Sequence, residues 1–130
     1  MNAHDRRLIE DYIPIREINA EASREKSIRK GHISTLHLWW ARRPLIACRA
    51  AVFGALVPAP ETPEERKQLA AEMVELCRWK VSDEVIERAR QRILEANGGQ
   101  PPKVLDMFAG GGSIPLEAPC AWAARLTPWS

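Results

Sequence analysis

Ten prolines divide this chain into pieces too short for any long helix, and their positions dictate where helices can start and stop. Pro14 forbids one uninterrupted helix through residues 4–20, so that stretch reads as a short helix to about Asp11 and then an extended arm. Residues 20–30 hold good helix formers with few apolar anchors, and Gly31 stands where a C-terminal stop would be. This predicts a helical turn or two with weak packing. Pro44 occupies the position where proline costs a helix least, and behind it Ile46, Ala50, Phe53 and Val57 fall at i, i+4, i+7 and i+11. A helix with a buried face therefore runs to residue 57. Pro58, Pro60 and Pro63 then make a rigid loop.

The second half has stronger local signals. Thr62-Pro-Glu-Glu65 is a capping box with proline at the first helical position, predicting a helix over residues 63–79 with Leu69, Met73, Leu76 and Cys77 on one face. Ser82 reads as the cap of the next helix. Asp83 and Glu84 suit its positive end, Val85, Ile86, Ala89 and Ile93 repeat at helical spacing, and Asn97-Gly98-Gly99 ends it. After Gln100-Pro-Pro102 the pattern becomes a short apolar run, Lys103-Val-Leu-Asp-Met-Phe-Ala109. Gly110-Gly-Gly-Ser113 and Ile114-Pro-Leu-Glu-Ala118 follow, which is strand, glycine loop and helix start. The expected fold is a mainly α N-terminal region over residues 1–100, then an incomplete α/β, Rossmann-like unit over residues 101–118.

Composition narrows the classes. Cys48, Cys77 and Cys120 are too few and too far apart for a disulfide framework or a zinc cluster, which favours reduced thiols and no metal site. Asp5, Arg6, Arg7 and Glu10 precede no apolar stretch of the secretory kind, and the longest apolar run, residues 45–57, is interrupted by Arg49. The expectation is a soluble cytoplasmic protein with no membrane partner. Net charge is only +2, yet residues 23–49 hold Arg24, Lys26, Arg29, Lys30, Arg42, Arg43 and Arg49 against Glu25 alone. Lys26, Arg29, Lys30, Arg42 and Arg43, with Trp39 and Trp40 between them, combine phosphate-neutralising charge with aromatic faces that can stack on bases. That is a nucleic-acid footprint. The competing reading buries both tryptophans and leaves the cations as a solvated face. His32 and His37 lie five residues apart with no carboxylate or thiol at ligand spacing, which gives little support for a metal.

A strand feeding a glycine loop and a helix start is how α/β folds hold nucleotide-like cofactors. The dinucleotide pattern fails at its third glycine, where Pro115 stands, and no lysine follows the glycines as a phosphate-binding loop requires. Asp106-Met-Phe108-Ala-Gly110-Gly-Gly112-Ser113 instead resembles the D-x-F-x-G-x-G motif of DNA amino-methyltransferases. The resemblance implies S-adenosylmethionine as cofactor. Asp106 would face the methionine ammonium, Phe108 would pack beside the cofactor, and Gly110 and Gly112 would give it room.

Upstream, the stretch from Ser23 through His37-Leu-Trp-Trp-Ala-Arg-Arg-Pro44 to Leu45 resembles the domain of unknown function, 1156-type, that opens large bacterial and archaeal adenine-specific DNA methylases. The resemblance covers about residues 5–118 and implies DNA as partner and N6-methyladenine chemistry. The catalytic [DNS]-P-P-[YFW] string of such enzymes does not occur in this chain, so no catalytic residue is assigned. Residues 119–130 show neither helical nor strand periodicity, and they read as an aberrant, frame-shifted tail on a truncated chain that is inactive alone, the alternative being a genuine divergent terminus. A non-enzymatic helical module that binds nucleic acid or a partner is the alternative.

Overall fold

The computed structural model describes residues 6–27, 45–107 and 125–126, and for Lys26, Arg125 and Leu126 the backbone only. Among the described residues five helices carry most of the chain: α1 (Leu8–Asp11), α2 (Ile15–Ser27), α3 (Leu45–Leu56), α4 (Pro63–Leu76) and α5 (Asp83–Ala96). The architecture is mainly helical, as the pattern of apolar spacings predicts.

Helix α3 is the centre. Its residues Leu-Ile-Ala-Cys-Arg-Ala-Ala-Val-Phe-Gly-Ala-Leu are apolar nearly all round, as a helix surrounded by others must be. Ile46, Cys48, Ala50, Val52, Phe53 and Gly54 are all buried, a wider set than one face. Helices α1, α2, α4 and α5 each pack on α3, and α4 also packs on α5. One continuous core results, running from Leu8 and Ile18 through Phe53 to Leu69, Met73, Leu76, Ala89 and Ile93.

Two expectations for the first thirty residues are corrected. The extended arm after Asp11 is only three residues long, because Pro14 starts a helix instead of ending one: α2 begins at Ile15, and the Ile18 amide donates to the Pro14 carbonyl at 3.1 Å. Residues 20–27 are likewise not a loose turn. They are the second half of a 13-residue helix whose Ile18, Ala22 and Glu25 are buried.

The cap of α4 forms as its letters predict, with the Thr62 hydroxyl accepting from the Glu65 amide at 3.2 Å. The reciprocal bond is displaced by one residue, since Glu65 accepts from the amide of Glu61 at 3.0 Å and not from that of Thr62. Helix α4 stops at Leu76, three residues before the predicted end. At α5, Ser82 has the extended backbone of an N-cap but its side chain makes no cap bond. Gly98 and Gly99 end the helix with φ of 68° and 77°, the left-handed region that glycine tolerates, and the Gly99 amide returns to the Leu94 carbonyl at 2.7 Å. Arg92 clamps α5 to α4 through Glu72 at 2.8 Å.

The first described residues are tied to the loop behind α3. Leu8 donates to the Val57 carbonyl and Ala59 donates to the Arg6 carbonyl, both at 2.9 Å. Beyond α5 the strand is shorter than the predicted 103–109: β1 covers Lys103–Val104 and pairs in parallel with β2, Arg125–Leu126. This two-residue ladder draws on the tail read as patternless, because a backbone ladder does not require side-chain alternation. Leu105 and Met107 beside it are largely exposed.

Candidate functional site

The basic, tryptophan-bearing stretch leaves α2 and re-enters at α3, so its stems are those two helix ends. Ile18, Ala22 and Glu25 lie at i, i+4 and i+7 and turn inward together. A carboxylate therefore ends an apolar stripe, with Glu25 only 4% exposed. It accepts two hydrogen bonds, from the Leu45 amide at 2.9 Å and the Ile46 amide at 3.0 Å. These are the opening N–H groups of α3, which have no partner within their own helix, and the positive end of the helix adds to the attraction. Arg42-Arg43-Pro44 contains none of the usual capping letters. The cap is supplied from α2.

Two further contacts follow the same plan. Glu21, one turn before Glu25, accepts from the Trp79 amide at 3.0 Å and pairs with Arg24 at 3.4 Å. Arg49 of α3 donates to the carbonyl of Leu76, the last residue of α4, at 3.2 Å. Arg49 thus belongs to the frame, although its charge counts toward the basic stretch. Arg49→Met should lower unfolding free energy by about 1–2 kcal/mol, since it strands a helix-terminal carbonyl. Urea unfolding checks this, and an unchanged midpoint would show that the contact carries no stability.

Of the residues predicted to bind nucleic acid, Lys26 is placed on the last turn of α2 by its backbone. Arg29, Lys30, Trp39, Trp40, Arg42 and Arg43 lie outside the described residues, as do His32 and His37. Sequence reasoning missed the roles of Glu21 and Glu25, which count there only among the good helix formers of residues 20–30 and, for Glu25, as the one acid opposing the cations. A usable signal was present: an acid on the apolar stripe of one helix, and a second helix without a cap of its own.

Of the predicted cofactor residues, Asp106 stands two residues beyond β1 and is half-buried. Phe108, Gly110 and Gly112 lie outside the described residues. Beside β1 runs an open apolar groove of about 410 Å³, walled by Ile9, by Ala51, Val52, Ala55 and Leu56 of α3, and by residues 103–105. Among the described residues on its wall Lys103 is the one that is charged, and these residues include no convergent set of polar groups of the kind that orients an amino-acid-bearing cofactor. Among the described residues no group of three or more His, Cys, Asp or Glu is placed to hold a metal ion. No described helix is long and apolar enough to cross a membrane.

The family model described as "Protein of unknown function (DUF1156)" matches residues 12–79, just over half of the chain. The matched span contains α2, α3, α4 and the four hydrogen bonds described above that Glu21, Glu25 and Arg49 make between helices and their ends. It leaves out α1, α5, both strands and Asp106. Among curated proteins no match reaches significance, and the same holds among solved structures.

Proposed function

Since the chain belongs to the family described as "Protein of unknown function (DUF1156)", we propose that it is the N-terminal portion of an S-adenosylmethionine-dependent, adenine-specific DNA methyltransferase. In this reading a helical module that holds nucleic acid precedes the first cofactor motif. The observation that carries it is the string Asp106-x-Phe108-x-Gly110-x-Gly112, which begins two residues beyond β1.

The chemistry of the residues supports that assignment. A half-buried carboxylate just past the carboxyl end of a strand is suited to pair with a ligand ammonium, as Asp106 would with the methionine end of the cofactor. Side-chain-free positions at Gly110 and Gly112 would let the backbone approach the cofactor. S-adenosylmethionine, when bound, supplies a methyl group on an electrophilic sulfonium. The acceptor amine of a flipped base would need a polar clamp and a stacking aromatic. With no [DNS]-P-P-[YFW] string in the sequence, this chain alone is expected to bind without turning over.

Two titrations of the whole chain test the reading. S-adenosylmethionine should bind, and Asp106→Ala should weaken binding by about tenfold or more, the scale of a lost charge-assisted contact. Duplex DNA should bind with strong salt dependence. If five cations contact phosphates, affinity should fall by about 10²- to 10³-fold between roughly 50 and 200 mM salt. Absence of cofactor binding would remove the methyltransferase half.

A second reading has its own support. Among the described residues the core cluster runs from Leu8 to Ile93 and includes none of residues 103–107. The helical part is thus built as a unit, which suits a non-enzymatic module binding nucleic acid or a partner. Salt-sensitive DNA binding with no affinity for S-adenosylmethionine would favour it.

A further inference from the structure

We infer that Arg24, Arg78 and Lys80 form a contact surface for the phosphate backbone of nucleic acid, gathered where α2 meets the end of α4. The inference rests on the nucleic-acid half of the reading above and adds residues to it, since Arg78 and Lys80 lie well beyond the basic stretch in sequence. Glu21 makes the junction. One oxygen of its carboxylate accepts from the Trp79 amide at 3.0 Å, a bond across 58 positions, and the other lies 3.4 Å from the Arg24 guanidinium. Arg78 and Lys80 are the two chain neighbours of Trp79, so their Cα atoms stand about 3.8 Å to either side of its own. A single carboxylate therefore ties Arg24 to the backbone that carries both of the other cations.

Each cation is available to a ligand. The Arg24 side chain is 64% exposed, and its pair with Glu21 is a solvated contact of the kind that contributes little. Arg78 and Lys80 are exposed, and among the described residues neither forms an ion pair. Trp79 between them is half-buried and packs on the core, which fixes the backbone at this point. Arg49 adds positive charge at the base of the junction, where it donates to the Leu76 carbonyl at 3.2 Å. The acids of the same segments have other uses. Glu21 is engaged through both oxygens, and Glu75 faces Arg88 at 3.8 Å. Glu17 lies in the first turn of α2, and Asp83 and Glu84 lie in the first turn of α5, at helix ends that attract negative charge. Three exposed cations on a fixed frame, continuous with the charged stretch that Arg24 opens, suit a polyanion whose phosphates repeat along a backbone.

The experiment measures binding of a fluorescent DNA duplex to the full chain, to Arg78→Gln, to Lys80→Gln, to the double variant and to Lys67→Gln. Each is measured across a series of salt concentrations. Lys67 is the charge-matched reference, because it is exposed on the first half of α4, about 14 Å along the axis from the helix's far end. Arg78→Gln and Lys80→Gln should each reduce the slope of log affinity against log salt by about one, and the double variant by about two. At roughly 0.1 M salt that is about a tenfold loss of affinity for each single variant and about a hundredfold loss for the double. Lys67→Gln should keep the slope of the parent.

An unchanged slope in the double variant would overturn the contact surface and leave the nucleic-acid reading standing. A parent chain with no salt-sensitive affinity for the duplex would overturn both. If the two cations serve only the negative end of α4, the double variant would melt at lower temperature with its slope intact, which also overturns the surface. An equal loss of slope in Lys67→Gln would reveal a general effect of net charge and no surface. Polyglutamate that displaces the labelled duplex as well as unlabelled duplex does, at equal charge concentration, would assign the surface to an acidic protein instead. Should the double variant fail to fold, the amide signals of the parent still decide. Duplex should shift those of Arg78, Trp79 and Lys80 more than that of Lys67, and their staying unmoved would refute the contact.

Discussion

Phe53→Ala should lower the unfolding free energy of the helical core by about 3–5 kcal/mol, the range for deleting a fully buried aromatic ring. Phe53 has no exposed surface and lies on α3, the one helix that every other helix touches. Its neighbours in the core, among them Met73, Leu76 and Ile93, are fixed on α4 and α5 by caps and ion pairs, so they cannot all collapse into the space left. Domains of this size hold about 5–15 kcal/mol in total, so the variant should be partly unfolded at modest urea. The half-buried Val85 of α5, truncated to Ala, should cost about 1 kcal/mol and serves as the comparison. Equal effects from the two truncations would contradict the central position of α3.

Gly54→Leu should detach α1. A Cβ at this position would already lie 3.2 Å from the Cβ of Ile9 and 3.5 Å from its backbone nitrogen and Cα. Gly54→Ala sets that squeeze against a gain in helix propensity of about 1 kcal/mol, and its net effect should be small. Leucine has no such compromise, because its further atoms must enter the volume that α1 fills. The expected loss is about 2–3 kcal/mol, typical of an overpacked contact. It should be localised. The Leu8 to Val57 and Ala59 to Arg6 hydrogen bonds and the paired contacts of Asp11 with Arg66, at 2.8 and 2.9 Å, all depend on α1 lying where it does. Amide exchange should accelerate at Leu8 and Ala59 while Ile93 and its neighbours on α5 stay protected. Uniform acceleration across all helices would show that α1 is not a separable layer.

How much of this was legible in the sequence depends on how local each cause is. Helices α4 and α5 were legible because their start and stop signals lie within a turn of the helix itself: Thr62, Pro63 and Glu65 in one case, Gly98 and Gly99 in the other. Helix α2 was misread because proline has two local meanings. Pro14 breaks a helix that approaches it and starts one that leaves it, and letter spacing alone did not decide between them. The buried polar contacts were not legible as pairs. Glu25 meets Leu45 across 20 positions and Glu21 meets Trp79 across 58, so their meaning appears only after the helices are docked. For the candidate site the balance is reversed. The family and the proposed cofactor motif both rest on strings of letters, which the geometry of Asp106 alone would not have suggested, whereas the role of Arg49 as part of the frame came only from its contact with Leu76.

The borrowed caps also bear on the order of folding. An isolated helix must meet the entropic cost of its first turn from its own sequence, and α3 has no side chain of its own to offer its leading amides. Its start is completed by α2, and the end of α4 is completed by α3. Neither terminus meets its protein partner before the helices have docked, and until then only water serves it. A peptide of residues 45–56 should therefore be largely unstructured in water, and in the whole chain these helices should appear in the same kinetic step as the core, with secondary structure arriving as a product of assembly and not as its precursor.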